Sequence, residues 1–265
     1  FEGPAQSRFF SQIAIEYLPK WFIEQIKRNK LTIADWGCAQ GDGSDVWASY
    51  IDPSQITGVD FSLPAIEKAT QRYPAIRFLN EDWLNQHIIS DEMAYDVVFS
   101  SNTLEHFHKP YEVLASILRR ARKAIVLALP YKEIDRIDEH FFTFLPENIP
   151  LALKNNFRLV VSRVIDCKIK PKTAWQGYQI ILLYAHSDWI DQLLLSLNDA
   201  RIESLDTDSN IENLNIQIKY LNDKITHHNE QLNQFKQTTL EQDQRITHYQ
   251  HKQEQLSQIA AEHDK

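Results

Sequence analysis

The sequence has few of the residues that cross-link or interrupt a chain. Its 265 residues include only two cysteines, Cys38 and Cys167, with six glycines and ten prolines. Two cysteines without metal-type spacing exclude a disulfide framework and favour a reducing compartment. No run approaches the ~20 apolar residues of a membrane span, and no secretory signal is present. We therefore expect a cytoplasmic protein, with the inner face of a membrane, reached through partner proteins, as the alternative.

Positive charge is also scarce. The chain has 28 Lys and Arg residues against 36 Asp and Glu residues, a net charge of −8. Most of the excess acid falls in residues 188–265, which hold 7 basic and 14 acidic side chains. Neither part carries the basic stripe of a nucleic-acid enzyme, so we do not expect DNA or RNA as a partner.

Three of the glycines lie in one turn. Gly37, Gly41 and Gly43 follow a short apolar run that reaches Asp35, and a helix pattern begins after them. Glycines let a backbone pass close to a ligand, and free N–H groups at a helix start bind anionic groups. The spacing G-x-A-x-G lacks the third glycine of a dinucleotide loop and the Gly-Lys-Ser/Thr of a phosphate loop. The turn therefore predicts a nucleotide-like cofactor and argues against a nucleotide-dependent oxidoreductase.

A second acid stands near the distance that nucleotide-binding folds use for a ribose. Residues 56–60 form a β-prone run that ends in Asp60, 25 residues after Asp35. α/β nucleotide folds place a carboxylate about 20 residues on to hold the ribose diol. Asp60 is predicted to be that ligand, with an exposed loop acid as the alternative.

The glycine turn resembles motif I of the class I S-adenosylmethionine (SAM)-dependent methyltransferases, usually written (D/E)-x-G-x-G-x-G. Ala39 stands at the middle glycine, where an alanine fits if its φ is negative. The resemblance implies SAM as the cofactor and assigns it these residues of the turn: Asp35, Gly37, Ala39 and Gly41.

Two later segments continue the family pattern. Residues 76–83 resemble the third motif, which gives Asp82 to the adenine amino group and Trp83 to the border of the ring. A core position is the alternative for Trp83. Residues 95–106 are very similar to the D-V-V-x-S-x-x-x-L-E-H signature of the type 11 methyltransferases, and this resemblance assigns Ser100 to the cofactor site. It extends over roughly residues 6–187.

Alternating strand and helix patterns predict an open α/β sheet with right-handed crossovers. Residues 124–129 read as a buried parallel strand, and Pro130 is expected to end it. Residues 157–169 and 178–186 suggest a hairpin. We expect a Rossmann-like, mostly parallel seven-stranded sheet with a terminal antiparallel hairpin over residues 1–187. Residues 5–29 are expected to close over the cofactor.

The last 88 residues contain neither Gly nor Pro, which favours a long helix. We predict a connecting helix over 188–210 and a coiled coil over 211–265 that continues beyond Lys265. In its first half, apolar side chains occupy the a positions Ile211, Ile218, Ile225 and Leu232 and the d positions Leu214, Leu221 and Phe235. Ile at a with Leu at d favours a parallel dimer over a trimer.

Two histidines are candidate bases. Ligands bind at the carboxyl ends of the strands in such sheets, and His106 follows the fourth strand. His140 lies in a segment that resembles the His-x-x-x-Phe-Thr stretch of many type 11 enzymes. Neutral imidazole suits proton removal near pH 7, and we place His140 ahead of His106. Glu105, His106 and His140 could instead hold a divalent ion, but Asn102 supplies no further carboxylate, so no metal is predicted.

The sequence favours a SAM-dependent O-methyltransferase that acts on a glycan or small-molecule hydroxyl. The segment Gly37–Gly41 and the fused coiled coil resemble bacterial enzymes that methylate the non-reducing end of a surface polysaccharide, an O-antigen or a capsule. A degenerate SAM-binding domain that heads a coiled-coil scaffold is the alternative, supported by Ala39, and a methyltransferase for another small molecule is a further one.

Overall fold

The structure is a computed structural model that describes residues 3–85, 94–170 and 175–204, with scattered positions between 218 and 237. The chain divides into two compact units, Phe1–Ser209 and Asn210–Lys265. Within the described ranges, no helix combines the length and the apolar character that a membrane span requires.

An eight-stranded sheet forms the centre of the first unit, in the order β3-β2-β1-β4-β5-β7-β6-β8. Its strands are β1 (Ile33–Trp36), β2 (Ile56–Asp60), β3 (Arg77–Asn80), β4 (Tyr95–Ser101), β5 (Ala121–Tyr131), β6 (Phe157–Asp166), β7 (Tyr178–His186) and β8 (Arg201–Ile202). The first five strands pair in parallel, and β7 lies antiparallel between β5 and β6. The carboxyl ends of β1, β2 and β4 therefore meet at one edge of the sheet.

Helices cover both faces of this sheet. They are α1 (Gly3–Tyr17), α2 (Lys20–Arg28), α3 (Asp42–Ala48), α4 (Leu63–Arg72), α5 (Pro110–Ile117) and α6 (Ser187–Leu193). One apolar cluster joins α1, α2, α3 and α6 to the sheet, and a second joins α5 to the opposite face. Every residue of β1 and β2 is buried, as expected for parallel strands covered on both sides.

The sheet has one strand more than the seven predicted. The extra strand, β8, is two residues long and pairs in parallel with Val161 and Ser162 of β6. So short a strand leaves no periodic pattern in a sequence. The connecting helix predicted over 188–210 is correspondingly shorter, because α6 ends at Leu193 and Leu194 adopts a left-handed φ of 52°.

Strand β5 also continues past the proline expected to end it. Pro130 pairs with Gln179 of β7, whereas pairing with β4 stops at Ala128. Proline lacks a backbone N–H, so it is tolerated where one side of a strand has no partner to receive that bond. Strand β5 therefore ends at Tyr131, two residues nearer in sequence to His140 than predicted.

In the second unit, the described positions between 218 and 237 are helical and exposed. At least half of the surface of Ile218, Ile225, Leu232 and Phe235 is open to solvent. The predicted coiled coil over 211–265 otherwise lies outside the described residues and stays a prediction.

Candidate active site

The glycine turn between β1 and α3 requires two of its glycines. Gly37 and Gly41 have left-handed φ angles of 78° and 82°. A Cβ on Gly37 would lie 2.6 Å from Thr103 Oγ1, and one on Gly41 would lie 2.7 Å from the ring of Phe78. Conformation and crowding both favour glycine here, so the turn is held against the segment that follows β4 and against β3.

Ala39, the residue at the middle glycine of the motif, does not have the negative φ that would suit it. Its φ is 46°, in the left-handed region. Its backbone N–H donates to Asp60 Oδ2 at 2.9 Å, and Ser62 N–H donates to Asp60 Oδ1 at 2.8 Å. The Asp60 carboxylate thus binds the turn, and since each oxygen can accept a second hydrogen bond, it retains capacity for a ligand.

Asp35 is buried near the end of β1 and, with Gly37 and Ala39, lines a cleft beside the glycine turn. Burial raises its pKa to about 6, while the hydrogen bond that Ser44 Oγ donates at 2.6 Å acts in the opposite direction. The Asp60 charge adds to the increase. A positive ligand group beside Asp35 would favour its ionised form.

Five of the predicted cofactor residues are outside the described lining of this cleft: Gly41, Asp60, Asp82, Trp83 and Ser100. Asp82 is exposed, and Ser100 is buried with no hydrogen-bond partner for its Oγ in the described part of the chain. Trp83 is buried, with its ring stacked on Tyr95 at 5.9 Å and Arg120 over its face at 5.2 Å. The packing of Trp83 is that of a core residue. The cofactor roles of all five remain predictions.

A cleft of about 380 Å³ connects the glycine turn to the histidines. Its cofactor side includes Asp35, Gly37, Cys38, Ala39 and Gly43, and α1 borders it with Gln6, Phe10 and Ser11. Its other side includes Asn102, Glu105, His106, Ile137, Glu139, His140 and Trp175. The fold thus brings the turn, α1 and both candidate bases to one cavity.

The two histidine rings pack edge to face, with centroids 5.0 Å apart. His140 Nδ1 lies 2.6 Å from Glu133 Oε2, and His106 Nδ1 lies 2.8 Å from the backbone oxygen of Glu139. A carbonyl oxygen only accepts hydrogen bonds, so Nδ1 of His106 must carry its proton. The Nε2 atom of His106 is then left with a free lone pair.

Backbone hydrogen bonds hold the loop that carries His140 in place. The N–H groups of Phe141 and Phe142 donate to the carbonyl oxygen of Glu105 at 2.7 and 3.1 Å. Thr143 Oγ1 donates to the carbonyl oxygen of Glu133 at 2.9 Å. These bonds attach the loop after β5 to the segment after β4, which places His140 beside Glu105 and His106.

Glu105 is fully buried and lines the cleft, and neither of its carboxyl oxygens has a hydrogen-bond partner among the described residues. Burial raises its pKa to about 8, and the nearby Glu133 charge adds to the increase. Its Oε1 lies 3.9 Å from His140 Nε2. At neutral pH Glu105 is therefore mostly protonated and able to donate a hydrogen bond.

The same residues could hold a cation. Ligand atoms of Glu105, His106 and His140 all lie within 4.8 Å of one another. Two imidazoles and a carboxylate are ligands that divalent transition metals accept. Asn102, in a left-handed conformation with φ 47°, also lines the cleft. The sequence-based prediction of no metal remains a prediction.

Comparison with known proteins assigns the segment that carries the glycine turn. A family model described as a methyltransferase domain matches residues 34–125. Residues 34–125 are thus similar to a methyltransferase domain. Trans-aconitate 2-methyltransferase of Escherichia coli O139:H28 (strain E24377A / ETEC) is 28% identical over 119 residues, and that of strain 55989 / EAEC is 27% identical. Each match covers 45% of this chain and 44% of the relative, so the chain spans less than half of these relatives' length.

Solved structures share the α/β fold of the first unit. Magnesium protoporphyrin IX methyltransferase from Synechocystis PCC 6803 with bound SAH has a TM-score of 0.50 at 14% identity, over 69% of this chain and 84% of that one. Plantazolicin methyltransferase BpumL, in complex with a triazolic desmethylPZN analog and SAH, has a TM-score of 0.50 at 16% identity, over 68% and 85%. The predicted α/β methyltransferase fold, a mostly parallel sheet with antiparallel strands, is confirmed.

Sequence reasoning missed two residues at the cleft, one beside it and one in its lining. Glu133 follows β5 by two residues, and its position after a parallel strand was a usable signal, because the carboxyl ends of such strands face the ligand. Trp175 comes shortly before β7, and its ring centroid is 6.3 Å from that of His140. Nothing local in the sequence places Trp175 there, because the contact depends on how β7 inserts between β5 and β6.

Proposed function

We propose that this chain is a SAM-dependent O-methyltransferase whose acceptor is a sugar hydroxyl. One observation carries the proposal: a single cleft joins the glycine turn to the Nε2 side of His140. A methyl donor on one side and a proton acceptor on the other are the two elements that transfer to a hydroxyl needs.

The described residues fit SAM on the cofactor side. Gly37 and Ala39 of the turn line the cleft, and Asp60, which accepts a hydrogen bond from the turn, has acceptor capacity for a ribose diol. Asp35 lines the cleft, where its carboxylate favours a cationic ligand. When bound, SAM supplies an activated methyl group on a sulfonium. Two solved structures of the same fold contain SAH, which supports this cofactor.

The protein's own part in the reaction is alignment and proton removal. A sugar hydroxyl is almost fully protonated at pH 7, so its oxygen gains nucleophilic character when a base takes the proton. His140 Nε2, which faces Glu105 in the cleft, is placed to take it. His106, with a free Nε2 lone pair next to it, is the second candidate. A divalent ion on the Glu105, His106 and His140 cluster would be the alternative means of activating the hydroxyl.

The lining on the acceptor side suits a neutral polyol. Its carboxyl and imidazole groups can bond hydroxyls, and Trp175 supplies an aromatic face. The described residues of this lining include no Lys or Arg that would neutralise an anionic acceptor. The likeness of Gly37–Gly41 and of the fused helix to polysaccharide-terminating methyltransferases supports the non-reducing end of a bacterial surface glycan as the acceptor.

The second unit would bring copies of the chain together. Ile218, Ile225 and Leu232 occupy a positions and Phe235 a d position of the heptad pattern, and all four are exposed in the single chain. Pairing with a second copy would bury them, and a dimer is favoured over a trimer by Ile at a and Leu at d. Self-association would place two catalytic units on one glycan-modifying assembly.

Calorimetric titration with SAM and a methyl-transfer assay test the proposal. We expect SAM to bind, and we expect His140→Ala to lower turnover ~100-fold or more while SAM affinity stays nearly unchanged, because a base acts in the transition state. Asp135→Asn, an exposed change in the same loop, is the matched control. A tenfold or smaller loss would exclude His140 as base. Loss of activity on adding EDTA would indicate the metal alternative, and absence of SAM binding would leave a degenerate scaffold domain.

A further inference from the structure

A buried carboxylate lies directly behind the candidate base. Glu133 Oε2 is 2.6 Å from His140 Nδ1, and the Glu133 side chain is only 6% exposed. We propose that Glu133 is a positioning residue, which holds the His140 imidazole in the tautomer with the proton on Nδ1 and the lone pair on Nε2 directed to the cleft. This inference rests on the proposed function, in which His140 is the base.

The contact selects one tautomer. If the proton were on Nε2, the Nδ1 lone pair would face a carboxylate oxygen at 2.6 Å, and two acceptors at that distance repel. With the proton on Nδ1 the same distance is a strong charge-assisted hydrogen bond. The carboxylate therefore stabilises the one neutral form of His140 that can accept a proton at Nε2.

The surroundings fix the plane of the ring as well. Thr143 Oγ1 holds the backbone of Glu133, and the ring of His140 packs against those of His106 and Trp175 at 5.0 and 6.3 Å. A carboxylate on a mobile loop would not define the direction of Nε2. Here the ring, its hydrogen-bond acceptor and the loop backbone are held together.

Stability alone does not explain Glu133. Its Oε1 has no hydrogen-bond partner among the described residues, and burying a partly unsatisfied carboxylate costs free energy. Glu105, a second buried acid, lies near enough for the Glu133 charge to raise its pKa, so ionising both acids is unfavourable. An apolar side chain at 133 would avoid both costs, so the acid is better explained by what it does to His140.

In the proposed methyl transfer, proton removal and bond formation occur at the same acceptor oxygen. The acceptor O–H gives its proton to His140 Nε2, the oxygen forms a bond to the methyl carbon, and the carbon–sulfur bond breaks with its electron pair on sulfur. The positive charge of the sulfonium is lost, and an equal charge appears on the imidazole. Glu133 faces that new charge from the Nδ1 side.

Nitrogen-15 NMR of the full chain, recorded above pH 8 with EDTA present, tests the proposal independently of activity. In the wild type we expect His140 to show a protonated Nδ1 and an unprotonated Nε2. Glu133→Ala should convert this spectrum to a mixture of both tautomers, whereas Glu133→Gln, whose amide oxygen still accepts, should keep mostly the Nδ1–H form. An unchanged His140 tautomer in Glu133→Ala would overturn the proposal.

Kinetics supply the second arm. Glu133→Ala should lower kcat about 10- to 100-fold with little change in the KM for SAM, since misdirected reacting groups cost about this much. Glu133→Asp and Glu133→Gln should recover part of the loss, and Asp135→Asn, exposed in the same loop, should retain wild-type kcat. Equal loss in all three Glu133 variants, with unchanged folding, would show a structural role only. If His140→Ala keeps its activity, the base assignment fails, but the tautomer measurement still decides the role of Glu133.

Discussion

Replacing Glu105 with glutamine should remove a pH dependence of stability that the wild-type chain carries. The buried carboxyl has its pKa raised from 4.5 to about 8 by desolvation, with no hydrogen-bond partner among the described residues for either oxygen. Between these two values the folded protein keeps a proton on Glu105 that the unfolded chain has released. The folded state then binds more protons, so the free energy of unfolding must fall as pH rises.

Measurements between pH 6 and pH 8 separate the contribution of Glu105 from that of Asp35, the other buried acid whose pKa is raised. Asp35 has a pKa of about 6 in the folded protein, so its contribution to the decrease in the free energy of unfolding is nearly complete at pH 6. Because the folded pKa of Glu105 lies at the upper end of this range, the two pH units correspond to a loss of about 2 kcal/mol in the free energy of unfolding, at about 1.4 kcal/mol per unit where the slope is full. Glutamine has the same shape and no proton to lose, so Glu105→Gln should show almost none of this decrease.

Urea unfolding at pH 6, 7 and 8 measures the effect, with EDTA present and SAM absent so that no cation binds at the cleft. Glu147→Gln is the matched control, because it removes one exposed carboxylate from the segment before β6. Contributions from ionisable groups remote from Glu105 are the same in all three proteins and cancel in the comparison. Parallel pH profiles for wild type and Glu105→Gln would refute the view that Glu105 is protonated in the folded protein at neutral pH.

Three further predictions concern the glycine turn and the second unit. Ala39→Gly should stabilise the chain by roughly 0.5 to 1 kcal/mol in urea unfolding, because glycine adopts the left-handed φ of 46° without strain. This gain is partly offset by the larger conformational entropy of glycine in the unfolded chain, and a destabilised variant would contradict the φ of 46°. Asp60→Ala should weaken SAM binding at least ~10-fold in a titration, with the exposed Glu67→Ala as control, and unchanged affinity would remove Asp60 from the cofactor site. The full chain should be a dimer by light scattering and Ile218→Asp with Ile225→Asp a monomer, since charges at a positions oppose pairing, and identical masses would exclude the coiled coil.

Local patterns were sufficient for much of the fold. Strands β2 and β7 have the predicted bounds, 56–60 and 178–186, because each is a buried or β-branched run with a polar boundary. The ordering of strand and helix predicted the parallel sheet. His106 and His140 were placed together for the same reason, since both follow parallel strands whose carboxyl ends share an edge.

Features set by tertiary contacts could not be read from the sequence. The left-handed φ of Ala39 follows from its bond to Asp60, made 21 residues away, and contradicts the alanine propensity on which the expectation rested. Trp83 fits a cofactor motif and a core equally well, and only its contacts with Tyr95 and Arg120 reveal the packing. Strand β8 depends on its pairing with β6, and a strand of two residues leaves no pattern in the sequence from which this pairing, or the early end of α6 before it, could be predicted.

Hydrogen bonds hold both ends of the loop after β5 in place and leave its middle exposed. Glu105 and Thr143 fasten the loop at Phe141, Phe142 and Glu133, whereas residues 134–139 between these points are exposed. Two residues of that stretch, Ile137 and Glu139, line the cleft, and substitutions there would alter what the cleft presents to an acceptor while leaving the cofactor turn untouched. Under the proposed function, acceptor preference can therefore diverge, or be re-engineered, at these two positions while the residues of the glycine turn stay unchanged.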